Sequence, residues 1–83
     1  MTENEIQRAV FDIIAGHFNV PIETISRDTV ASDIADWNSV EHVALLMEME
    51  DKLGFEFDIE RIGDLGDVGE FVDECARLLA LKR

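Results

Sequence analysis

The chain has 83 residues, of which 47% are hydrophobic, and its 19 acidic and 7 basic side chains give a net charge of −12. This length predicts one domain over residues 1–83, and the apolar content is too high for an acidic disordered tail. The negative charge argues against binding to nucleic acids or anionic membranes, so a partner attracted by charge should carry a basic surface.

The cysteine and histidine content excludes further classes of protein. One cysteine excludes an internal disulfide, and two histidines beside it make a dedicated zinc or other metal site unexpected. No apolar run approaches the roughly 20 residues of a membrane span, and the N-terminal MTENEIQR lacks the character of a signal sequence. We therefore expect a cytoplasmic monomer. A chain this short rarely forms a deep pocket as well as a core, which argues against an ordinary enzyme.

The first predicted element is an amphipathic helix over residues 3–18. Thr2 and Glu5 form a capping-box pattern at its start. Apolar residues then recur at helical spacing, at Ile6, Ala9, Val10, Ile13, Ile14 and Phe18. His17 falls inside this stripe, and we interpret it as a partly buried packing residue. Pro21 prevents continuation of the helix because it has no amide donor.

Residues 19–37 are predicted to form a long ordered loop. Isolated apolar residues alternate there with Ser, Thr, Asp and Asn, and ordered loops of this length are often functional. The segment DTVASDIADWN lacks the ligand spacing and central glycine of a calcium-binding EF-hand. Trp37 ends the loop, and we expect it to pack the loop onto the following helix.

A second helix is predicted from the cap residue Asn38, paired with Glu41, to Leu53, with Gly54 as a left-handed cap. One stripe has the width of an ordinary core face and consists of Leu45, Leu46, Met49 and Leu53. A second stripe lies nearly opposite and consists of Val40, Val43, Ala44 and Met47. Either the helix is buried on both sides, or the second stripe is a binding face ringed by carboxylates, suited to a partner with a hydrophobic slot and a basic rim.

The remaining segments complete an all-α prediction. Residues 58–63 suit one or two helical turns, and Asp67 with Glu70 caps a last helix that runs to the end of the chain. Cys75 falls at a core spacing in this helix and is interpreted as an inert small hydrophobe. The segment at 55–59 is the only strand candidate and is too short to favour a sheet. The prediction is a small four-helix bundle with three principal helices and a short third one.

Residues 36–54, DWNSVEHVALLMEMEDKLG, resemble the phosphopantetheine attachment region of acyl carrier proteins, whose hallmark is Asp-Ser-Leu at the start of the second helix. The likeness continues through FDIERI and DVGEFVDEC, and the first helix with the loop entry also resembles the family. It covers essentially the whole chain at the family's length and acidity. We expect a free-standing carrier.

The resemblance implies that Ser39 receives 4′-phosphopantetheine from coenzyme A through a phosphopantetheinyl transferase. The arm then holds acyl groups as thioesters and presents them to acyl-transferring, ketosynthase or acyl- or aminoacyl-activating enzymes with basic docking surfaces. The residues that match or adjoin the family's partner-binding positions are Asp36, Asn38, Val40, Glu41, Val43, Met47, Glu48, Glu50 and Asp51.

Three departures bear on the pathway. Asn38 replaces the family's Asp, Val40 replaces Leu, and one additional residue precedes the serine, with Trp37 in the added space. Such Trp-containing forms look more like carriers of specialised pathways than like the housekeeping fatty-acid carrier. We therefore expect a carrier of a polyketide, specialised lipid or fatty-acid-like pathway. Two alternatives stay open: an aminoacyl or peptidyl carrier charged by an adenylating enzyme, and a carrier-like interaction module that never receives the arm.

Catalysis by the chain itself is not expected. Ser39 and His42 are three residues apart and could form a nucleophile–base pair on a helix. The sequence offers neither an orienting acid for the histidine nor a set of oxyanion donors, so we predict a non-catalytic protein. An alternative role for Trp37, shielding the base of the arm, competes with packing.

Overall fold

The computed structural model describes residues 2–57 and 66–81. It contains three α-helices and two short 3-10 helices: α1 (Glu3–Phe18), Ile22–Thr24, Ala31–Asp33, α2 (Ser39–Leu53) and α3 (Val68–Leu81). These residues include no strand, and the predicted all-α class is confirmed. The predicted short helix over 58–63 and the last two residues of the strand candidate at 55–59 lie outside the described residues. No helix in the described ranges is long and apolar enough to span a membrane.

Local capping sets the ends of α1 and α2 where the sequence predicts them. The Thr2 hydroxyl accepts a 3.2 Å hydrogen bond from the Glu5 amide, and the Glu5 carboxylate accepts one of 2.8 Å from the Thr2 amide. Asn19 ends α1 with a left-handed φ of 56°, and Gly54 ends α2 with a φ of 76°. Glycine and asparagine tolerate this conformation better than other residues, which explains both stops.

The start of α3 is capped and also tied to the loop. Asp67 Oδ1 accepts a 2.9 Å hydrogen bond from the Glu70 amide, and the Glu70 carboxylate accepts one from the Gly66 amide. The first helical amides then bond backward to the loop between α1 and α2: Val68 N–H donates to Thr29 O at 2.9 Å, and Gly69 N–H donates to Arg27 O at 2.8 Å. Amides that have no partner inside the helix are thereby satisfied.

The Arg27 side chain reinforces this junction. Its guanidinium donates to Gln7 of α1 at 3.1 Å, to the Gly69 carbonyl at 3.3 Å and to the Asp73 carboxylate at 2.9 Å. Ile25 and Thr29 of the same loop are buried. The long loop is therefore ordered, as predicted, and it crosses the bundle attached to both α1 and α3.

The core lies between the three helices, with α1 packed against α2 and α3. Its six largest fully buried side chains come from all three helices: Val10, Ile14, Leu45, Met49, Val68 and Cys75. The loop contributes Ile25, and the segment after α2 contributes Phe55 and Phe57. This arrangement fixes α2 by one face and directs its other face outward.

Candidate functional site

Ser39 is the first residue of α2, and its side chain is exposed. Asn38 precedes it as the helix cap: its side-chain oxygen accepts a 3.0 Å hydrogen bond from the Glu41 amide. The first intrahelical bond runs from the His42 amide to the Asn38 carbonyl at 2.8 Å. The Ser39 and Val40 amides therefore precede the hydrogen-bonded ladder, at the positive end of the helix dipole.

The outer face of α2, formed by Val40, Val43 and Met47, lies in solvent. These side chains are 78%, 56% and 64% exposed, whereas Leu45 and Met49 of the opposite stripe are fully buried. The interpretation of α2 as a helix buried on both sides is therefore wrong. Three further stripe residues, Ala44, Leu46 and Leu53, are half-buried.

Two carboxylates beside the outer face contact a histidine of α1. His17 Nε2 lies 3.0 Å from Glu41 Oε1, and His17 Nδ1 lies 3.1 Å from Glu48 Oε1. We call these three residues the His17 bridge. Lys52 Nζ lies 3.0 Å from the other oxygen of Glu48, and hydrogen bonds from Lys52 and then His17 lower the pKa of Glu48.

The other acidic residues predicted for partner binding differ in whether they form contacts within the protein. Glu50 accepts a 2.8 Å hydrogen bond from the Phe57 amide, which fastens the segment after α2 to the helix. Asp36 and Asp51 are exposed and have no hydrogen-bond or ion-pair partner within residues 2–57 and 66–81. Among the described residues, fewer of the predicted docking carboxylates are without a partner than the sequence suggests.

Trp37 packs against the core next to Ser39. Its ring stacks on Phe18 with centroids 5.1 Å apart, and its indole N–H donates a 3.0 Å hydrogen bond to His42 Nδ1. The His42 ring also meets Phe71 of α3 edge to face at 5.6 Å. The predicted packing role of Trp37 is confirmed, and the aromatic side chains join the loop, α2 and α3 at the base of the site.

His42 and Ser39 do not form a hydrogen-bonded pair among the described residues. The Nδ1 atom of His42 is occupied by Trp37. Burial lowers the pKa of the His42 imidazole. The described residues also contain no group of three or more His, Cys, Asp or Glu side chains able to hold a metal ion.

Cys75 is a core residue, as its spacing predicts. It is fully buried, and burial raises the pKa of its thiol to about 12. Because the thiolate is the reactive form of cysteine, this side chain behaves as a small hydrophobe.

Comparison with known proteins identifies the family, although no family model matches the chain. The acyl carrier protein of Lactobacillus johnsonii is 31% identical over 75 residues, which span 87% of this chain and 94% of that protein. The chain belongs to the acyl carrier protein family. Another acyl carrier protein, from Chloroherpeton thalassium, is 32% identical over 77 residues, spanning 89% of this chain and 96% of its own length.

A solved acyl carrier protein has the same fold. The solution structure of the holo acyl carrier protein from Geobacter metallireducens superposes with a TM-score of 0.83 at 28% identity, covering 92% of this chain and 87% of that one. The helical arrangement predicted for the family is therefore confirmed for this acyl carrier protein. The roles of its individual surface residues stay predictions.

Proposed function

We propose that this acyl carrier protein holds acyl groups as thioesters on a 4′-phosphopantetheine arm attached to Ser39. The observation that carries the proposal is the exposed Ser39 hydroxyl at the first position of α2, beside an exposed apolar face, in a chain of this family. The arm supplies the terminal thiol that forms the thioester. Ser39 supplies the oxygen of the phosphodiester link.

The local structure fits a phosphodiester. The Ser39 and Val40 amides lie outside the intrahelical ladder, and the N-terminus of a 15-residue helix favours an anion. Asn38 is uncharged, so no carboxylate lies immediately before the serine. Asn38 rather than Ser39 caps the helix, and the Ser39 hydroxyl forms no hydrogen bond within residues 2–57 and 66–81.

The outer face supports docking to enzymes with an apolar slot and a basic rim. Val40, Val43 and Met47 supply exposed apolar surface, and the exposed carboxylates of Asp36 and Asp51, which have no partner among the described residues, supply negative charge. Complementary charge accelerates encounter, and the flexible Met47 side chain adapts to different slots. The proposed partners are a phosphopantetheinyl transferase and acyl-transferring, ketosynthase or acyl-activating enzymes.

The proposed role is that of a carrier without its own catalytic activity. In support of this role, the candidate base that the sequence offers for Ser39, His42, accepts a hydrogen bond from Trp37, and no hydrogen bond joins it to Ser39 in the described residues. Loading and acyl transfer are then carried out by the partner enzymes. The proposed cargo is an acyl chain of a polyketide, specialised lipid or fatty-acid-like pathway.

Intact mass measurement tests the proposal. The chain is incubated with coenzyme A, magnesium and a transferase of broad specificity, and a Ser39→Ala variant serves as the control. We expect one phosphopantetheine to be added to the wild-type chain and none to the variant. Addition to both would place the arm elsewhere, whereas addition to neither, with several transferases, would favour an unmodified interaction module.

A further inference from the structure

His17 reaches from the last turn of α1 to the docking side of α2. Its side chain is only 14% exposed, and its two ring nitrogens lie 3.0 and 3.1 Å from carboxylate oxygens of Glu41 and Glu48. These glutamates are seven residues apart, two helical turns, so they lie on one side of α2. Glu41 directly follows Val40, and Glu48 directly follows Met47, so each glutamate comes next in sequence after a residue of the outer face.

Hydrogen-bond chemistry makes the bridge depend on a proton. A neutral imidazole has one N–H donor and one acceptor nitrogen, and an ionised carboxylate only accepts. Both contacts of His17 are hydrogen bonds when the ring carries two protons. When one proton leaves, a nitrogen lone pair faces a carboxylate oxygen at hydrogen-bond distance, and that contact becomes repulsive.

The charges around the ring are few. From α2 they are Glu41 and Glu48, with Lys52 on the far oxygen of Glu48. From α1, the Phe18 ring contacts the His17 ring edge to face, with centroids 4.8 Å apart. His17 lies in the last turn of α1, where the negative end of the helix dipole favours a positive charge. Within the described ranges, neither the loop nor α3 places another ionisable group in hydrogen-bond or ion-pair contact with His17.

We propose that His17 is a proton-controlled latch on the docking side of α2. Doubly protonated, it holds Glu41 and Glu48 against α1 and neutralises part of the charge beside the outer face. Singly protonated, it releases one carboxylate to solvent, where a lysine or arginine of a basic partner can pair with it. The identity of that partner rests on the proposed function, but the latch itself does not.

A double-mutant cycle tests the latch without any partner. Melting temperatures are measured at pH 5.5 and pH 8.5 for the wild type, His17→Gln, Glu48→Gln and the double variant. Glutamine keeps one donor and has no charge, so it imitates the singly protonated ring. We expect the two sites to be coupled at pH 5.5, with the coupling lost at pH 8.5. A coupling that is equal at both pH values would overturn the proposal.

Binding to a transferase tests the effect on docking. Ser39→Ala is used as the background so that no loading occurs, and Kd is measured for this variant with and without His17→Gln. We expect His17→Gln to tighten binding several-fold at pH 6 and to leave it unchanged at pH 8. The ratio of the two Kd values is taken at each pH, so that any effect of pH on the transferase itself cancels.

Arg8→Gln is the matched control, because it removes a positive charge from a 71% exposed position of α1 that lies outside the bridge. If both variants tighten binding by the same factor, the effect of His17→Gln comes from net charge alone and the latch is excluded. The same conclusion follows if the effect of His17→Gln on Kd does not vary with pH. If no transferase binds any form, the proposed function fails, and the stability cycle alone decides for or against the latch.

Discussion

The indole N–H of Trp37 and the Nδ1 atom of His42 form a 3.0 Å hydrogen bond that spans Ser39 in the sequence. Trp37 is the last loop residue before the helix cap, and His42 lies in the first full turn of α2. Because Nδ1 accepts this bond, the neutral His42 ring carries its proton on Nε2. The orientation of the Ser39 turn is therefore set by the loop as well as by the helix.

Trp37→Phe should destabilise the protein although it keeps an aromatic ring in place. The variant removes the N–H group and leaves the partly buried His42 Nδ1 without its donor, which costs about 1–3 kcal/mol. Urea denaturation measures the loss. In a His42→Phe background the same substitution should cost less, because no acceptor is left unpaired there; an equal cost in both backgrounds would assign the effect to packing alone.

Acidification should weaken the fold through His42. Burial lowers the pKa of the folded imidazole below its ordinary value of 6.5. The unfolded chain then binds a proton first as the pH falls, so stability is lost below about pH 6.5, down to the pKa of the folded ring. Unfolding free energies from pH 8 to pH 5 measure this slope in the His17→Gln background, which removes the latch. The change of unfolding free energy with pH should be smaller when His42→Phe is added. If it is unchanged, the pH dependence comes from other groups.

Leu45→Ala and Met47→Ala should differ sharply, although they lie two residues apart on one helix. Leu45 is fully buried, so truncation should cost roughly 2–5 kcal/mol. Met47 is 64% exposed, so its truncation should change stability little and should instead raise the KM of a partner enzyme. Equal losses of melting temperature would contradict the division of α2 into a core face and an outer face. Leu46 is half-buried and makes a less decisive test.

Gly69→Ala should loosen the junction between the loop and α3. A Cβ atom at Gly69 would lie 3.1 Å from the Arg27 carbonyl oxygen and 3.2 Å from its side chain, so the loop backbone must shift. We expect a loss of about 1–3 kcal/mol by urea denaturation. Gly16→Ala is the matched control, because nothing lies within 4 Å of its added Cβ, and helix propensity alone should stabilise it by about 1 kcal/mol. If Gly69→Ala and Gly16→Ala change the stability equally, a clash between the added Cβ at position 69 and Arg27 is excluded.

The sequence predicts the helices well because their signals are local. Thr2, Asn38 and Asp67 satisfy amides within three residues, and Gly54 adopts a conformation that few other residues tolerate. The exposure of the outer face also follows from periodicity, once the opposite stripe is known to fill the core. These features need no knowledge of how the helices pack.

Contacts between elements could not be predicted in the same way. His17 is 24 and 31 residues from its two carboxylate partners, and their meeting depends on how α1 and α2 cross. The polar residue in an apolar stripe was the available signal, but packing alone explains it equally well. The hydrogen bond from Trp37 to His42 joins the loop to α2, and the hydrogen bond from the Phe57 amide to Glu50 joins the segment after α2 to the helix. Hydrophobic periodicity describes a single helix, so it predicts neither of these contacts.

The burial of Cys75 has a consequence for measuring the loaded state. The chain has one cysteine, and its thiol is enclosed in the core with a pKa near 12. On the proposed function, the terminal sulfur of the arm is then the single thiol that reacts with a maleimide in the folded protein. A colorimetric thiol assay on native material would count arms directly, and the difference before and after thioester cleavage would give the fraction that carries cargo. On the same proposal, the enclosure of Cys75 would keep an acyl group on the arm from migrating to this cysteine.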